Sequence, residues 1–552
     1  MNVLPIVYIR GYAGATAGIN SQVDDPFYGF NAGATHVRID GDGDPSFYQF
    51  EGPLLRLVTE HHYQLLVHGD QRRLLDQPGP ALPAASIWVH RFYDSAATTF
   101  TGPRHENLWR RMEDKLHRAV TADGFNLEHA AEDLYDLIEA VQTRTGAPRV
   151  YVVAHSMGGL VARCMMQKVC RTPRQSLDGT STERRPAREL IDKLFTYGTP
   201  HGGIVTDLSG VNAAMEVFGP AGSDIFSPPK MYGYLTPGAS FGDLPPDGEK
   251  WDPRDMPDDV FDVNDIFCLI GTDPTDYGAS RAIVGPKSDG LVRIENAYVK
   301  GAHRAYVFKS HSGSYGEVNS EEGYQNLRRF LFGRWAVAAF FAGLTADLPN
   351  DGTTWQADMR LAIRGLPIVM SEQQAAHWCP IILNKLAAST DSGGGGGEAG
   401  DQVDAPVPIV STFLLEPEPP SPAHTATDRD GLSRYVITLR VYKVVEDRGA
   451  FNFRDHIEQV SDWTDSLIVD VGPDEAGTGG AAAWSAWKSD LPGAIDSVPR
   501  MPNRLGLSRT AQVNAHVGTL ALPSGGRALP IFGDSASLSI TVEDRTAIRR
   551  NV

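Results

Sequence analysis

The 552-residue sequence predicts an α/β domain built on a parallel sheet, followed by an all-β, sandwich-like domain. Three observations predict it. From residue 5 to about 310, short runs of β-branched and aromatic residues alternate with helical patterns. Within that half, Arg149 to Cys170 (RVYVVAHSMGGLVARCMMQKVC) passes from a buried-strand pattern through a tight turn into a helix. Beyond residue 350 the period falls to two. Trp355, Ala357, Met359, Leu361 and Ile363 alternate with polar or small residues, as do Tyr435, Ile437, Leu439 and Val441, and then Ala536, Leu538, Ile540 and Val542. The expected boundaries are 1–345, with an insertion at 204–262, and 351–552, with Gly- and Pro-rich loops at 389–425.

Pro5 to Ile9 reads as a buried strand running into Arg10-Gly11-Tyr12-Ala13-Gly14, and Tyr63 to Val67 and Ser86 to Phe92 read as further strands. Asn126 is a good N-cap for a helix carrying Leu127, Ala130, Ala131, Leu134, Leu137, Ile138 and Val141 on one face, stopped by Gly146 and Pro148. Val150 to Val153 forms the next strand. Lys193 to Tyr197, Asp265 to Ile270 and Ala305 to Phe308 continue the series, and Gly323 to Leu344 reads as a helical segment closing the first domain.

Composition narrows the function. A formal net charge of −18 leaves no basic patch to displace counterions from phosphates, which argues against nucleic-acid partners and against a general attraction to anionic membranes. Cys164, Cys170, Cys268 and Cys379 are scattered without metal-ligand spacing and read as buried thiols. The start, MNVLPIVYIRGYAG, has neither the basic n-region nor the apolar h-region of a signal peptide, and the longest apolar run, Trp335 to Leu344, is half the ~20 residues of a membrane span. A cytoplasmic location is the default expectation, with export by a non-classical route left open.

The turn at Ala154-His155-Ser156-Met157-Gly158 carries the chemistry. A strand that reverses into a helix within five residues crowds its own backbone, so small side chains are needed two places before and after the central residue. Ala154 and Gly158 supply them. Such an elbow lifts the Ser156 hydroxyl above the sheet edge and aims the Met157 N–H at a developing oxyanion. Asp40-Gly41-Asp42-Gly43-Asp44 with Glu51 has the acidic spacing of a calcium loop, but Pro45 stands where the sharp turn needs glycine, so a solvated hairpin turn is expected and no metal. His201, in Gly198-Thr199-Pro200-His201-Gly202-Gly203, could be read as the base, but it lies early, before any acid, and is expected instead to line a pocket or support structure. Residues 204–262 hold Gly, Pro and Asp with isolated apolar residues from Phe218 to Leu244, the pattern of a lid or of a packed insertion.

The set RGYAG, AHSMGG, GTPHGG, SDGLV and SHSG resembles the lipase and esterase branch of the α/β-hydrolases. It is similar to small bacterial triacylglycerol lipases, and more distantly to GPI inositol-deacylases and lecithin–cholesterol acyltransferases, over about residues 1 to 335. The resemblance implies an α/β-hydrolase fold with a lid insertion and a carboxylic ester hydrolase acting without a cofactor on lipid or other acyl esters. Ser156, Asp289 and His311 match the triad in the chain order Ser, Asp, His, and Tyr12 and Met157 match the oxyanion pair. Asp273 competes with Asp289 for the acid role. His303 competes with His311, though it precedes its strand whereas His311 follows it, and active-site residues belong at the carboxyl ends. The turn at Tyr12 has a bland reading as a plain Gly-rich turn, and Arg10 departs from the usual His. A phospholipase or an acyltransferase would use the same triad; a catalytically silent lipid- or partner-binding protein is the reading from another class. The lid would give transient contact with a lipid interface, and protein partners are not legible.

Overall fold

The computed structural model describes residues 3–9, 11, 38–39, 45–46, 51–66, 71–90, 126–175, 179–204, 225–245, 251–275, 284–311, 316–345, 348, 353–384, 406–416, 431–445, 461–474, 480–509 and 515–548. The chain forms two compact units, Met1–Leu327 and Arg328–Val552.

The first unit is an α/β fold on a seven-stranded sheet. Its strands are β1 (Ile6–Ile9), β2 (Gln64–Leu65), β3 (Ser86–His90), β4 (Val150–His155), β5 (Ile191–Tyr197), β6 (Ile266–Gly271) and β7 (His303–Val307). They lie in the order β7-β6-β5-β4-β1-β3-β2, every pair parallel. All residues of β1, β3, β4, β5 and β6 are buried, as expected of strands covered on both faces and read as continuous apolar runs. From β1 the chain passes to the edge strand β2, comes back through β3 to the neighbour of β1, and then crosses to the other side of β1 with β4. The reversal places the carboxyl ends of β1 and β4 side by side at a topological switch point, where open α/β sheets form their crevice.

Helices α1 (Glu51–His61), α2 (Gln71–Asp76), α3 (Leu127–Thr145), α4 (Met157–Gln167), α5 (Pro228–Leu235) and α6 (Glu321–Phe332) follow in chain order. α3 has the predicted cap: Asn126 Oδ1 accepts from the N–H groups of Glu128 and His129, at 2.9 and 3.2 Å, and Gly146 closes the helix at φ 69°. Neither α1 nor α2 was legible. Pro53 masks α1, although a proline within the first turn costs no hydrogen bond there. Where a hairpin turn is expected at the acidic stretch, Arg38–Ile39 pairs antiparallel with Pro45–Ser46; Asp40 to Asp44 between them lie outside the described residues.

The described part of the insertion is more packed than its sequence suggests. Phe226, Met231, Tyr234 and Leu235 are buried, and α5 is held to the chain around α4 where Lys168 Nζ donates to the Gly233 carbonyl at 2.7 Å. The fully buried Arg163 guanidinium donates to the carbonyls of Pro253 (2.6 Å) and Asp255 (2.7 Å), tying the tail of the insertion to α4. Phe241 and Leu244 are 45% and 72% exposed. Phe218 lies outside the described residues.

The second unit is rich in antiparallel sheet. Its strands are β8 (Trp335–Ala342), β9 (Thr353–Ile363), β10 (Val369–Gln373), β11 (Ile381–Ile382), β12 (Val407–Leu414), β13 (Ser433–Val445), β14 (Trp463–Pro473), β15 (Ala481–Trp487), β16 (Asn503–Arg504), β17 (Ser508–Arg509), β18 (His516–Ala521) and β19 (Ser537–Asp544). One sheet runs β12-β8-β19-β18-β17; the other runs β10-β9-β13-β14-β15-β16, with β11 on β9. One core takes side chains from both sheets, including Trp335, Phe341, Leu538 and Ile540 from the first and Trp355, Met359, Leu439 and Leu467 from the second. Arg434 and Asp470 form a buried bidentate pair at 2.6 and 2.8 Å that also holds the Ile495 and Val498 carbonyls and the Met501 N–H.

The segment 323–344, expected to be helical, is corrected by the structure. α6 ends at Phe332, and Trp335–Ala342 is a strand between β12 and β19. Apolar residues on both faces of WAVAAFFA hide the alternation a half-exposed strand would display. The Gly-rich tract at 393–397 and nearly all of the Pro-rich tract at 416–422 lie outside the described residues. Among the described residues, no helix is long and apolar enough to cross a membrane.

Candidate active site

The elbow after β4 forms as its residue sizes require. Ser156 adopts φ 52° and ψ −128°, a conformation that costs a non-glycine residue on the order of 1–3 kcal/mol and that persists only where the surroundings impose it. They do so here: the Ser156 N–H is held by the Tyr197 carbonyl at 2.9 Å, and α4 begins at Met157. The first N–H groups of a helix have no intrahelical partner, and Met157 is the first residue of α4.

Gly11, two residues beyond β1, lies beside the serine from the neighbouring strand end. A methyl group on Gly11 would meet Ser156 Cβ at 3.0 Å and collide with the His155 ring, so only glycine lets this backbone come so close to the serine. Tyr12, the expected second oxyanion donor, and Arg10 lie outside the described residues.

Asp289 sits in a tight turn beyond β6, bracketed by an antiparallel bridge between Ser288 and Arg293. Its Oδ1 accepts from the N–H groups of Leu291 (2.9 Å) and Val292 (2.7 Å), which aims Oδ2 at the sheet crevice. His311 follows β7, its N–H on the Asp289 carbonyl (2.9 Å) and its own carbonyl accepting from His155 Nε2 at 3.0 Å. Side chains from three separate strand ends then meet. His311 Nδ1 lies 2.7 Å from Asp289 Oδ2, and His311 Nε2 lies 2.9 Å from Ser156 Oγ. A carboxylate can only accept, so Nδ1 donates and Nε2 is left to accept the serine hydroxyl. All three residues are at most 3% exposed.

The rival residues are elsewhere. Asp273 caps its own loop, accepting from the Thr275 N–H and hydroxyl. His303 opens β7, at the end opposite His311. His201 is fully buried near Thr196 Oγ1 (3.2 Å) and Cys268 Sγ (3.7 Å), and burial, with the nearby Arg163 charge, pushes its pKa well below the usual range, which suits a neutral supporting residue. The four cysteines are free and buried, and burial raises each thiol's pKa.

Two residues of the site went unread in the sequence. His155 precedes the serine within AHSMGG and clamps the His311 backbone. Glu317 had no motif to flag it: fully buried, it occupies the space that Gly198 leaves open by lacking a side chain. A Cβ on Gly198, whose φ is 48°, would meet His311 Nδ1 at 2.9 Å, Asp289 Oδ2 at 3.1 Å and Glu317 Oε1 closer still. His155, His311 and Glu317 are the one group of metal-ligating types that converges among the described residues, with ligand atoms within 4.8 Å of one another. Both nitrogens of His311 are engaged by Asp289 and Ser156, so the group does not form a metal cradle.

Residues 122–216, which span α3, the elbow and the GTPHGG turn, match the family Lipase (class 2). The chain is also similar to the product of the gene lin2722 from Listeria innocua, a crystal structure, at 13% identity over 60% of this chain and 94% of that one, with a TM-score of 0.23. No curated protein matches it. The α/β fold and the family match together support a hydrolase of the α/β-hydrolase-like lipase type.

Proposed function

We propose that the chain is a serine hydrolase that cleaves carboxylic esters, with lipid acyl esters as its substrates, through a covalent acyl-enzyme. The observation that carries this reading is the continuous relay from Ser156 Oγ to His311 Nε2 (2.9 Å) and from His311 Nδ1 to Asp289 Oδ2 (2.7 Å) at the switch point of the sheet. His311 takes the Ser156 proton as Oγ attacks the ester carbonyl, and Asp289 holds the imidazole tautomer and stabilises the imidazolium. The Met157 and Tyr12 amides receive the oxyanion. His311 returns the proton to the departing alcohol, and a water molecule, deprotonated by the same imidazole, releases the acid and regenerates the serine. Each oxyanion donor supplies about 2.7–4 kcal/mol of transition-state stabilisation.

The insertion acts as a lid in this reading. Exposed Phe241 and Leu244 give it an apolar surface that a lipid interface can cover. The test is a series of p-nitrophenyl acyl esters of increasing chain length, each assayed below and above its solubility limit. Turnover is expected across the series, with higher specific activity above the limit for the long chains. No turnover on any acyl ester would overturn the hydrolase reading; equal activity on both sides of the limit would remove the lid.

A further inference from the structure

We propose that Glu317 is a neutral carboxylic acid held beside the Asp289–His311 pair, so that the two carboxyl groups carry one negative charge between them and Glu317 acts as a positioning residue that leaves that charge on Asp289. The inference rests on the triad reading above and deepens it.

The hydrogen bonds are distributed unequally. Asp289 accepts from the Leu291 and Val292 amides and from His311 Nδ1, three donors that each favour an anion. Glu317 is 0% exposed, and among the described residues neither carboxyl oxygen has a partner at full hydrogen-bond geometry; the nearby Gly271 N–H is the one group that favours its anion. Its backbone is fixed, since its N–H donates to the Ser310 carbonyl at 2.9 Å and its carbonyl accepts from the Ser320 hydroxyl at 2.7 Å. Among the described residues the ionisable groups facing it are Asp289, His311, His155 and Tyr197, and none of these is a lysine or arginine. An unpaired carboxylate in such a place would bear the full cost of lost hydration next to a second anion. Burial first, and then the Asp289 charge, push the Glu317 pKa well above the carboxylate range, outweighing the Gly271 N–H that acts the other way. The proton that the two acids can share therefore belongs to Glu317, and Asp289 remains the acceptor that His311 requires.

Two measurements on the full-length protein test this. The first needs no activity: with glutamate labelled by carbon-13 at the carboxyl carbon, one resonance should report a protonated acid at pH 7, and Glu317→Gln should remove it. A spectrum in which every glutamate is ionised at pH 7, or a protonated signal that persists in Glu317→Gln, overturns the proposal. Where the Gln variant does not fold, the wild-type spectrum still decides whether a protonated glutamate exists, and Glu317→Asp supplies the assignment. The second is the acid limb of the kcat/KM profile, which reports the free-enzyme imidazole. Removing a neutral neighbour leaves its midpoint in place, whereas removing an anion within about 5 Å of the ring would lower it by about one unit or more. A downward shift of that size in Glu317→Gln contradicts a neutral Glu317. A wild-type protein inactive on all esters would defeat the hydrolase reading while the spectrum still decided the state of Glu317.

Discussion

Ser156→Ala lowers turnover of any acyl ester the protein hydrolyses by on the order of 10⁴–10⁶-fold, with folding intact. The size of the effect follows from what the hydroxyl does. In the proposed reaction Ser156 Oγ is the atom that bonds to the acyl carbon, and its hydroxyl meets His311 Nε2 at 2.9 Å. Deleting it removes the covalent route altogether, so the remaining rate reflects the oxyanion donors and binding alone. Stability should change little. Alanine meets the same backbone demand at φ 52°, and one side-chain hydrogen bond is worth about 1 kcal/mol net. Steady-state kinetics and an unfolding curve on the same preparation check both halves. Turnover kept at a tenth of wild type would show that the serine is not the nucleophile.

Asp289→Asn is the second large effect, a fall in turnover of about 10⁴-fold at neutral pH. The substitution preserves shape. An asparagine Oδ1 can still accept from the Leu291 and Val292 amides, so the turn holds. Chemically it reverses the contact to His311. The amide nitrogen that faces Nδ1 donates a proton, which forces Nδ1 to accept and puts the imidazole proton on Nε2, pointing at the serine that Nε2 was to deprotonate. Asp273→Asn serves as the comparison. Among the described residues Asp273 Oδ1 accepts from Thr275 within its own loop, and its replacement is expected to change turnover by less than about threefold. Equal losses in the two variants would reopen the choice of acid.

The legibility of the site varied with the range of the interaction involved. The elbow could be read because it is local: VYVVAHSMGG contains the strand, the small flanking residues and the start of the helix within ten positions. The α3 cap was equally local, with Asn126 and Gly146 at its two ends. Asp289 and His311 could be placed only through chain order at the ends of late strands, and the structure brings them to Ser156 where Asp273 and His303 do not go. Glu317 was illegible because nothing in its own neighbourhood marks it. Its position depends on a gap left by Gly198, 119 residues earlier in the chain, and on a charge at Asp289. The strand Trp335–Ala342 was missed for a related reason: apolar residues on both faces erase the period that distinguishes strand from helix. The packed part of the insertion shows the same limit, since Met231, Tyr234 and Leu235 look isolated in sequence yet are buried by distant chain.

The most direct measurement is labelling with a fluorophosphonate, which reacts only with a serine whose hydroxyl is activated by a neighbouring base and whose oxyanion is received. Wild-type protein should take up one equivalent, the adduct should map to Ser156 by peptide mass, and prior Ser156→Ala substitution should abolish it. A folded wild-type protein that remains unlabelled, or that labels at another residue, contradicts the account.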